Sequence, residues 1–150
     1  MQTAELIAPA LQCTPVALDA LCEWESGNEV LGPEAFSARF DALSGPARRQ
    51  HRFVPGFETI AEFTERVQAA LASLIQQHED RSLVLVVHGG VIEAAFHHFL
   101  GFGPGPFEGG YPAADHASIT LWRRTGRSGD WVQRWANDTH HLGRDGGTHP

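Results

Sequence analysis

The chain has 150 residues, of which 42% are hydrophobic and 19% charged, a composition typical of one globular domain with a sizeable core. The formal net charge of −7 argues against general nucleic-acid binding and against an acidic membrane surface as the partner. Because no apolar run approaches the roughly 20 residues of a membrane span, no signal-peptide pattern opens the chain and only two cysteines are present, we expect a cytoplasmic protein with reduced thiols.

The N-terminal third predicts two helices, one strand and a loop. Apolar residues recur at helical spacing over Gln2 to Leu11 and over Pro33 to Leu43, where a proline occupies the first turn. Pro15 to Leu18 suits a short strand. Residues 19–27 carry three acids around one tryptophan, and we interpret this stretch as a solvated acidic loop. The alternative is a carboxylate beside an aromatic wall, where loss of water would raise a pKa towards general-acid catalysis.

One basic cluster follows the second helix. Arg48, Arg49 and Arg52 lie close together in a chain whose 11 basic side chains are all arginine. Such a cluster is usually a solvated loop, but the planar guanidinium group also suits phosphate. Because the protein is acidic overall, we predict that these arginines are the side chains that bind an anionic substrate.

The middle of the chain predicts the clearest helix and then a buried strand. Thr59-x-x-Glu62 matches a capping box, and apolar residues follow at helical spacing as far as Ile75. The run Leu83 to Val87 is too short for a buried helix, and its composition suits a strand covered on both faces. A crossover helix that leads into such a strand is the βαβ pattern. We therefore predict an α/β fold with a mostly parallel sheet flanked by helices.

A histidine and two glycines mark the point where that strand ends and another helix begins. The stripe that predicts this helix consists of Ile92, Ala95, Phe96 and Phe99. Ligands of open α/β sheets bind at this crevice, where free N–H groups favour an anion and a histidine adds a donor. The turn predicts phosphate binding through His88, Gly89 and Gly90. The alternative is a turn shaped by geometry alone, with His88 as a simple cap.

The C-terminal part predicts irregular chain and a hairpin. Residues 101–112 are rich in glycine and proline and suit the mouth of a site. Residues 118–122 and 131–135 alternate as the strands of an antiparallel edge hairpin. Residues 143–150 predict a disordered tail, which leaves 1–142 as a single domain.

The histidines give little indication of a metal site. Glu93 and His97 lie four residues apart on one predicted helix face, but no His-Glu-x-x-His or Cys-x-x-Cys spacing accompanies them. One such pair falls short of a metal site. We interpret these histidines as surface residues and expect neither a metal nor a cofactor.

Five short stretches carry a further signal through their order along the chain: Gln2-Thr3-Ala4-Glu5, Leu21 to Gly27, Pro55 to Thr59, Leu85 to Ile92 and His116 to Thr120. In this order they resemble motifs of the histidine phosphatase superfamily, in its phosphoglycerate-mutase-like branch. The resemblance covers Gln2 to about Leu142. It implies a phosphoglycerate-mutase-like fold, and transfer of a phosphoryl group from a phosphomonoester to an active-site histidine and then to water.

The resemblance also implies roles for individual residues. His88 stands at the second histidine of the family and would bind the phosphoryl oxygens. Glu23 stands at the proton donor, and Glu58 at a carboxylate near the site. The predicted set therefore has Glu23 and His88 as catalytic residues. The residues predicted to bind phosphate or substrate are Gly89, Gly90, Glu58, Arg48, Arg49 and Arg52.

The chain departs from the family at its defining motif. Arg-His-Gly supplies the nucleophilic histidine and a phosphate-binding arginine in the family, and the 150 residues contain no such motif. We therefore expect an N-terminally incomplete fold that is inactive alone as a phosphomonoester hydrolase, with a phosphorylated small molecule as its partner. We also expect self-association through an exposed sheet edge. The alternative is a non-catalytic family member that acts as an anion-binding or protein-interaction module.

Overall fold

The computed structural model describes residues 2–102, 110–126 and 128–143. Over these ranges the α-helices are α1 Gln2–Leu11, α2 Asn28–Leu31, α3 Pro33–Asp41, α4 Gly45–Gln50, α5 Ile60–Gln77 and α6 Gly89–Leu100. The β-strands are β1 Ile119–Arg124 and β2 Trp131–Asp138, and short 3-10 helices span Asp19–Leu21 and His140–Leu142. None of the helices in these ranges has both the length and the apolar content needed to cross a membrane.

The long helix α5 is the element on which the core is built. It begins at the predicted capping box, because the Thr59 hydroxyl accepts the Glu62 N–H at 3.1 Å and the Glu62 carboxylate accepts the Thr59 N–H at 2.7 Å. Its apolar face packs on α6 and on the 3-10 turn before the acidic loop, and the buried residues of this core are Leu21, Phe63, Val67, Leu71, Val91 and Ala94. Burial of each of the larger side chains in this set stabilises the fold by about 1.5–3 kcal/mol.

The C-terminal hairpin confirms the prediction of two antiparallel strands. β1 pairs with β2, with Leu121 opposite Trp135. The hairpin packs on α6, since the Trp122 ring stacks on Phe99 at 4.8 Å and meets the edge of Phe96 at 5.2 Å between centroids. The chain is thus a mixed helix and strand fold with a C-terminal antiparallel hairpin.

The structure corrects the prediction of a buried strand at Leu83 to Val87. Leu83, Val84, Leu85 and Val86 are 39–61% exposed, and only Val87 of this run packs against the core. Among the described residues the one sheet consists of β1 and β2, so a mostly parallel sheet is not seen there. An apolar run becomes a buried strand only when neighbouring strands cover it, and the described ranges supply no such neighbours to Leu83 to Val87.

Other local predictions are confirmed or corrected in detail. The helices α1, α3 and α6 form where predicted, although α3 ends at Asp41, two residues early. Pro15 to Leu18 is not a strand, because no strand of the described ranges includes it. The short helix α2 was not predicted. The buried residues of α6 are Val91, Ala94, Phe96 and His97, so Phe96 is the member of the predicted stripe that is buried.

The arginine cluster is also corrected. Arg48 and Arg49 lie in helix α4 rather than in a loop, and Pro46 occupies the first turn of that helix. Proline fits a first turn because the N–H that it lacks has no helical partner there. Most of the predicted site mouth at 101–112 and nearly all of the predicted tail at 143–150 lie outside the described residues.

Candidate functional site

His88 lies where the segment Leu83 to Val87 meets α6. It is the N-cap residue of that helix, with extended backbone (φ −101°, ψ 174°), and its side chain makes no capping hydrogen bond. Its carbonyl oxygen accepts the Ile92 N–H at 3.2 Å. The first N–H groups of a helix have no partner within the helix, so the start of α6 needs an acceptor from elsewhere.

Glu23 supplies that acceptor. The Gly90 N–H donates to Glu23 Oε2 at 2.9 Å, and the Trp24 N–H donates to Glu23 Oε1 at 2.8 Å. The carboxylate therefore lies at the positive end of the α6 dipole, where a negative charge is favourable. The structure thus brings Glu23 to within one hydrogen bond of the turn that contains His88.

Gly90 is the residue that permits this approach. A Cβ at this position would lie 2.2 Å from Glu23 Oε1 and 3.0 Å from its Cδ. A Cβ at Gly89 would meet only the Ala114 Cβ, at an ordinary 3.7 Å. Of the two predicted glycines, Gly90 is therefore the one whose missing side chain the Glu23 contact requires.

Glu58 and Arg66 hold the loop that carries Glu23. Arg66 binds the Glu58 carboxylate through Nη2 at 2.5 Å and Nε at 3.1 Å. Its Nη1 also donates to the carbonyl oxygens of Ala20 at 3.0 Å and Cys22 at 3.2 Å. Arg66 thus holds the start of the loop through two backbone carbonyl oxygens. The Glu58 side chain fixes the loop indirectly, because its ion pair holds Arg66 in place. The pKa of Arg66 is raised, chiefly by its hydrogen bonds to Glu58.

The tryptophan of the acidic loop belongs to an aromatic cluster. The Trp24 indole lies 6.0–6.3 Å from the rings of Phe36, Phe40 and Phe53 between centroids. Its Nε1 donates to the Glu58 carbonyl oxygen at 3.0 Å. The Glu23 carboxylate, in contrast, accepts hydrogen bonds from the backbone amides of Trp24 and Gly90. The aromatic cluster therefore anchors the loop through Trp24, whereas the Glu23 carboxylate lies at the start of α6.

Two of the predicted substrate-binding arginines are bound within the chain. Arg48 donates through Nε to the Leu43 carbonyl oxygen at 2.7 Å, and its guanidinium lies 4.3 Å from the centre of the Phe40 ring. Arg52 pairs with Glu62 at 2.5 Å and also donates to the Phe57 carbonyl oxygen. These contacts place Arg48 and Arg52 on α3 and the capping box rather than on α6.

Arg49 differs from its two neighbours because it is buried, with 6% of its surface exposed. Its Nη2 donates to the Thr64 hydroxyl at 3.2 Å, which ties α4 to α5. Burial lowers the pKa of Arg49, and the charge of Glu93 on α6 opposes that shift. Arg49 is therefore the predicted arginine whose charge acts on the start of α6.

The sequence indicates Glu93 only as a weak metal candidate beside His97 and does not predict a role for it near Glu23. Glu93 lies three residues after Gly90, so the two share a helix face. Burial raises the pKa of Glu93; Arg49 lowers it and the charge of Glu23 raises it further. Glu23, Glu93 and Arg49 thus form one charged cluster, drawn from a loop, from α6 and from α4. The spacing from Gly90 could have placed Glu93 on the same helix face, but a spacing of three residues is too common to be specific.

The histidines of α6 correct the surface interpretation. His97 is 1% exposed and belongs to the interior, and burial lowers the pKa of His98. No group of three or more His, Cys, Asp or Glu side chains within the described ranges is arranged to hold a metal ion.

A family model described as the histidine phosphatase superfamily (branch 1) matches residues 1–139, which is most of the chain. No curated protein matches the sequence.

Proposed function

Because the chain belongs to the histidine phosphatase superfamily, we propose that its site is built for a phosphomonoester. His88 and the amides of Gly89 and Gly90 bind the oxygens of the phosphoryl group, and Glu23 protonates the leaving oxygen. One observation carries the proposal. Glu23 and Gly90, 67 residues apart, meet through a 2.9 Å hydrogen bond at the helix start, where an anion is favoured.

The reaction proposed is the phosphohistidine mechanism of the family. A histidine nitrogen attacks phosphorus, the ester P–O bond breaks, and the leaving oxygen takes a proton from Glu23. Water then attacks the phosphohistidine and releases inorganic phosphate. In this scheme His88 binds phosphoryl oxygens, and the nucleophile belongs to an Arg-His-Gly motif that the 150 residues lack. Loss of a nucleophile costs on the order of 10⁴ or more in rate, so this chain alone is inactive.

The test is a phosphatase assay with a phenyl phosphate ester. The 150-residue chain is compared with a chain extended at its N-terminus by a strand that contains Arg-His-Gly. We expect hydrolysis only by the extended chain, and we expect Glu23→Gln and His88→Ala to abolish it. Equal activity of the two chains, lost in both variants, would show that the nucleophile lies within these 150 residues.

A second candidate function is a protein-interaction module. The observation that favours it is the apolar run Leu83 to Val86, whose side chains are exposed beside a helix that starts the candidate site. Exposed, extended apolar segments recruit other chains through their free backbone groups. In this alternative the chain self-associates through that edge, and the anion site has no catalytic role.

A further inference from the structure

The anion-binding end of α6 already holds a negative group of the same chain. α6 has 12 residues, and its Gly90 N–H donates to Glu23 Oε2 at 2.9 Å. A Cβ on Gly90 would lie 2.2 Å from the other oxygen of the Glu23 carboxylate, Oε1. The carboxylate therefore covers the backbone of Gly90 directly, on the face that a phosphoryl oxygen would need to reach.

A bound phosphate and the seated carboxylate exclude each other for two reasons. They require the same Gly90 N–H, which can make one strong hydrogen bond. They also repel each other, and Glu93, which interacts electrostatically with Glu23, adds a second carboxylate to the same helix face. A tethered group competes at an effective concentration of about millimolar or more, so this internal competition weakens anion binding measurably.

The backbone around Glu23 is fixed, which limits how the carboxylate can leave. Arg66 holds the Cys22 carbonyl oxygen at 3.2 Å, and Glu58 Oε1 accepts the Glu25 N–H at 3.3 Å. Gly27 is in the left-handed conformation (φ +73°), and a Cβ there would lie 2.8 Å from the Val54 side chain. With both sides of the loop anchored, release of Glu23 takes rotation of its side chain and leaves the loop in place.

We propose that Glu23 gates the phosphate site: its carboxylate occupies the Gly90 N–H in the empty protein and rotates away when a phosphomonoester binds. This inference rests on the proposed function, because it gives the proton donor a second role. Rotation frees the carboxylate to approach the leaving oxygen of the bound ester. The group that closes the empty site is then the group that acts on the occupied one.

The experiment measures binding of inorganic phosphate to the folded chain by titration with amide NMR detection. Glu23→Gln keeps the shape of the side chain and removes its charge, and Glu23→Ala removes the group that accepts the Gly90 N–H. We expect both variants to bind phosphate at least fivefold more tightly than the parent. Glu25→Gln is the matched control, since it removes one carboxylate from the same loop and leaves the Gly90 contact in place; its affinity should stay within twofold of the parent.

The amide signals provide a second measure that a general charge effect would not move. In the parent, phosphate should shift both the Gly90 and Trp24 N–H signals, because both donate to Glu23. In Glu23→Ala, which has no side-chain acceptor for either N–H, the Trp24 shift on phosphate addition should shrink. Binding by Glu23→Ala no tighter than by Glu25→Gln would overturn the gate alone. Absence of phosphate binding in every chain, Glu23→Gln included, would overturn the proposed phosphate site as well.

Discussion

Arg66 and Glu58 form a two-point ion pair, with Nη2 at 2.5 Å from Oε1 and Nε at 3.1 Å from Oε2. The same guanidinium reaches back across 46 residues to the Ala20 carbonyl oxygen. One side chain of α5 therefore sets the position of the loop that presents Glu23 to α6. Glu58 contributes to the candidate site by holding that guanidinium.

The first prediction concerns this arginine. Arg66→Leu removes several hydrogen bonds to charged or carbonyl groups, and bonds to charged groups contribute about 1.5–3 kcal/mol each. We expect the free energy of unfolding to fall in urea denaturation by at least the contribution of one such bond, about 1.5–3 kcal/mol. Arg124→Leu is the control, because its ion pair with Glu79 at 3.2 Å is solvent-exposed and such pairs contribute less than about 1 kcal/mol. Equal losses in the two variants would contradict the anchoring role.

The helices could be predicted because their signals are local. The capping box of Thr59 and Glu62 and the glycines after His88 lie within one turn of the helices that they start, and α5 and α6 begin there. Family motifs assigned Glu23 and His88 to one site, whereas residue patterns alone assigned the Glu23 carboxylate to a solvated loop; neither predicted its hydrogen bond to the Gly90 N–H.

What the sequence did not predict depends on distant parts of the chain. The run Leu83 to Val87 has the composition of a buried strand, but burial depends on neighbouring strands that composition cannot supply. Arg66 bonds to carbonyl oxygens 44 and 46 residues away, and no local pattern records such a contact. Arg49 was one of three similar arginines, and only packing of α4 on α5 distinguishes the buried one.

The second prediction is a pH dependence set by Glu93. Its pKa is raised above the ordinary 4.5, mainly by burial, so between pH 4.5 and the raised pKa the folded chain binds more protons than the unfolded chain. The stability gained from protonated Glu93 is full below about pH 4.5 and is lost as the pH rises through the folded pKa. As the pH rises from about 5 to about 8, we expect the free energy of unfolding to fall less in Glu93→Gln than in the parent.

Denaturant unfolding at the two pH values measures this difference. Glu65→Gln, at an exposed position of α5, is the control and should follow the parent. Glu93→Gln with the same pH dependence as the parent would show that the Glu93 carboxyl is solvated in solution.

The third prediction concerns assembly through Leu83 to Val86. Val84 is 61% exposed, so Val84→Arg costs little in the folded monomer but places a charge on the free edge. We expect the parent to self-associate as its concentration rises and Val84→Arg to shift light scattering towards the monomer. Val16→Arg is the matched control, since Val16 is 77% exposed outside this segment. A parent that stays monomeric throughout, or an equal effect of both substitutions, would exclude this edge as an interface.

The last prediction concerns His88 itself. As the N-cap of α6 without a side-chain cap bond, it leaves its imidazole available to an anion that reaches the helix start. His88→Ala removes that donor and retains the backbone N–H groups, so phosphate binding should weaken about tenfold, equivalent to about 1.4 kcal/mol, without being abolished. His141→Ala, at an exposed C-terminal histidine, should bind phosphate like the parent in the same calorimetric or NMR titration. If His88→Ala binds as tightly as the parent, the anion contacts only the amides, and the role assigned to His88 is wrong.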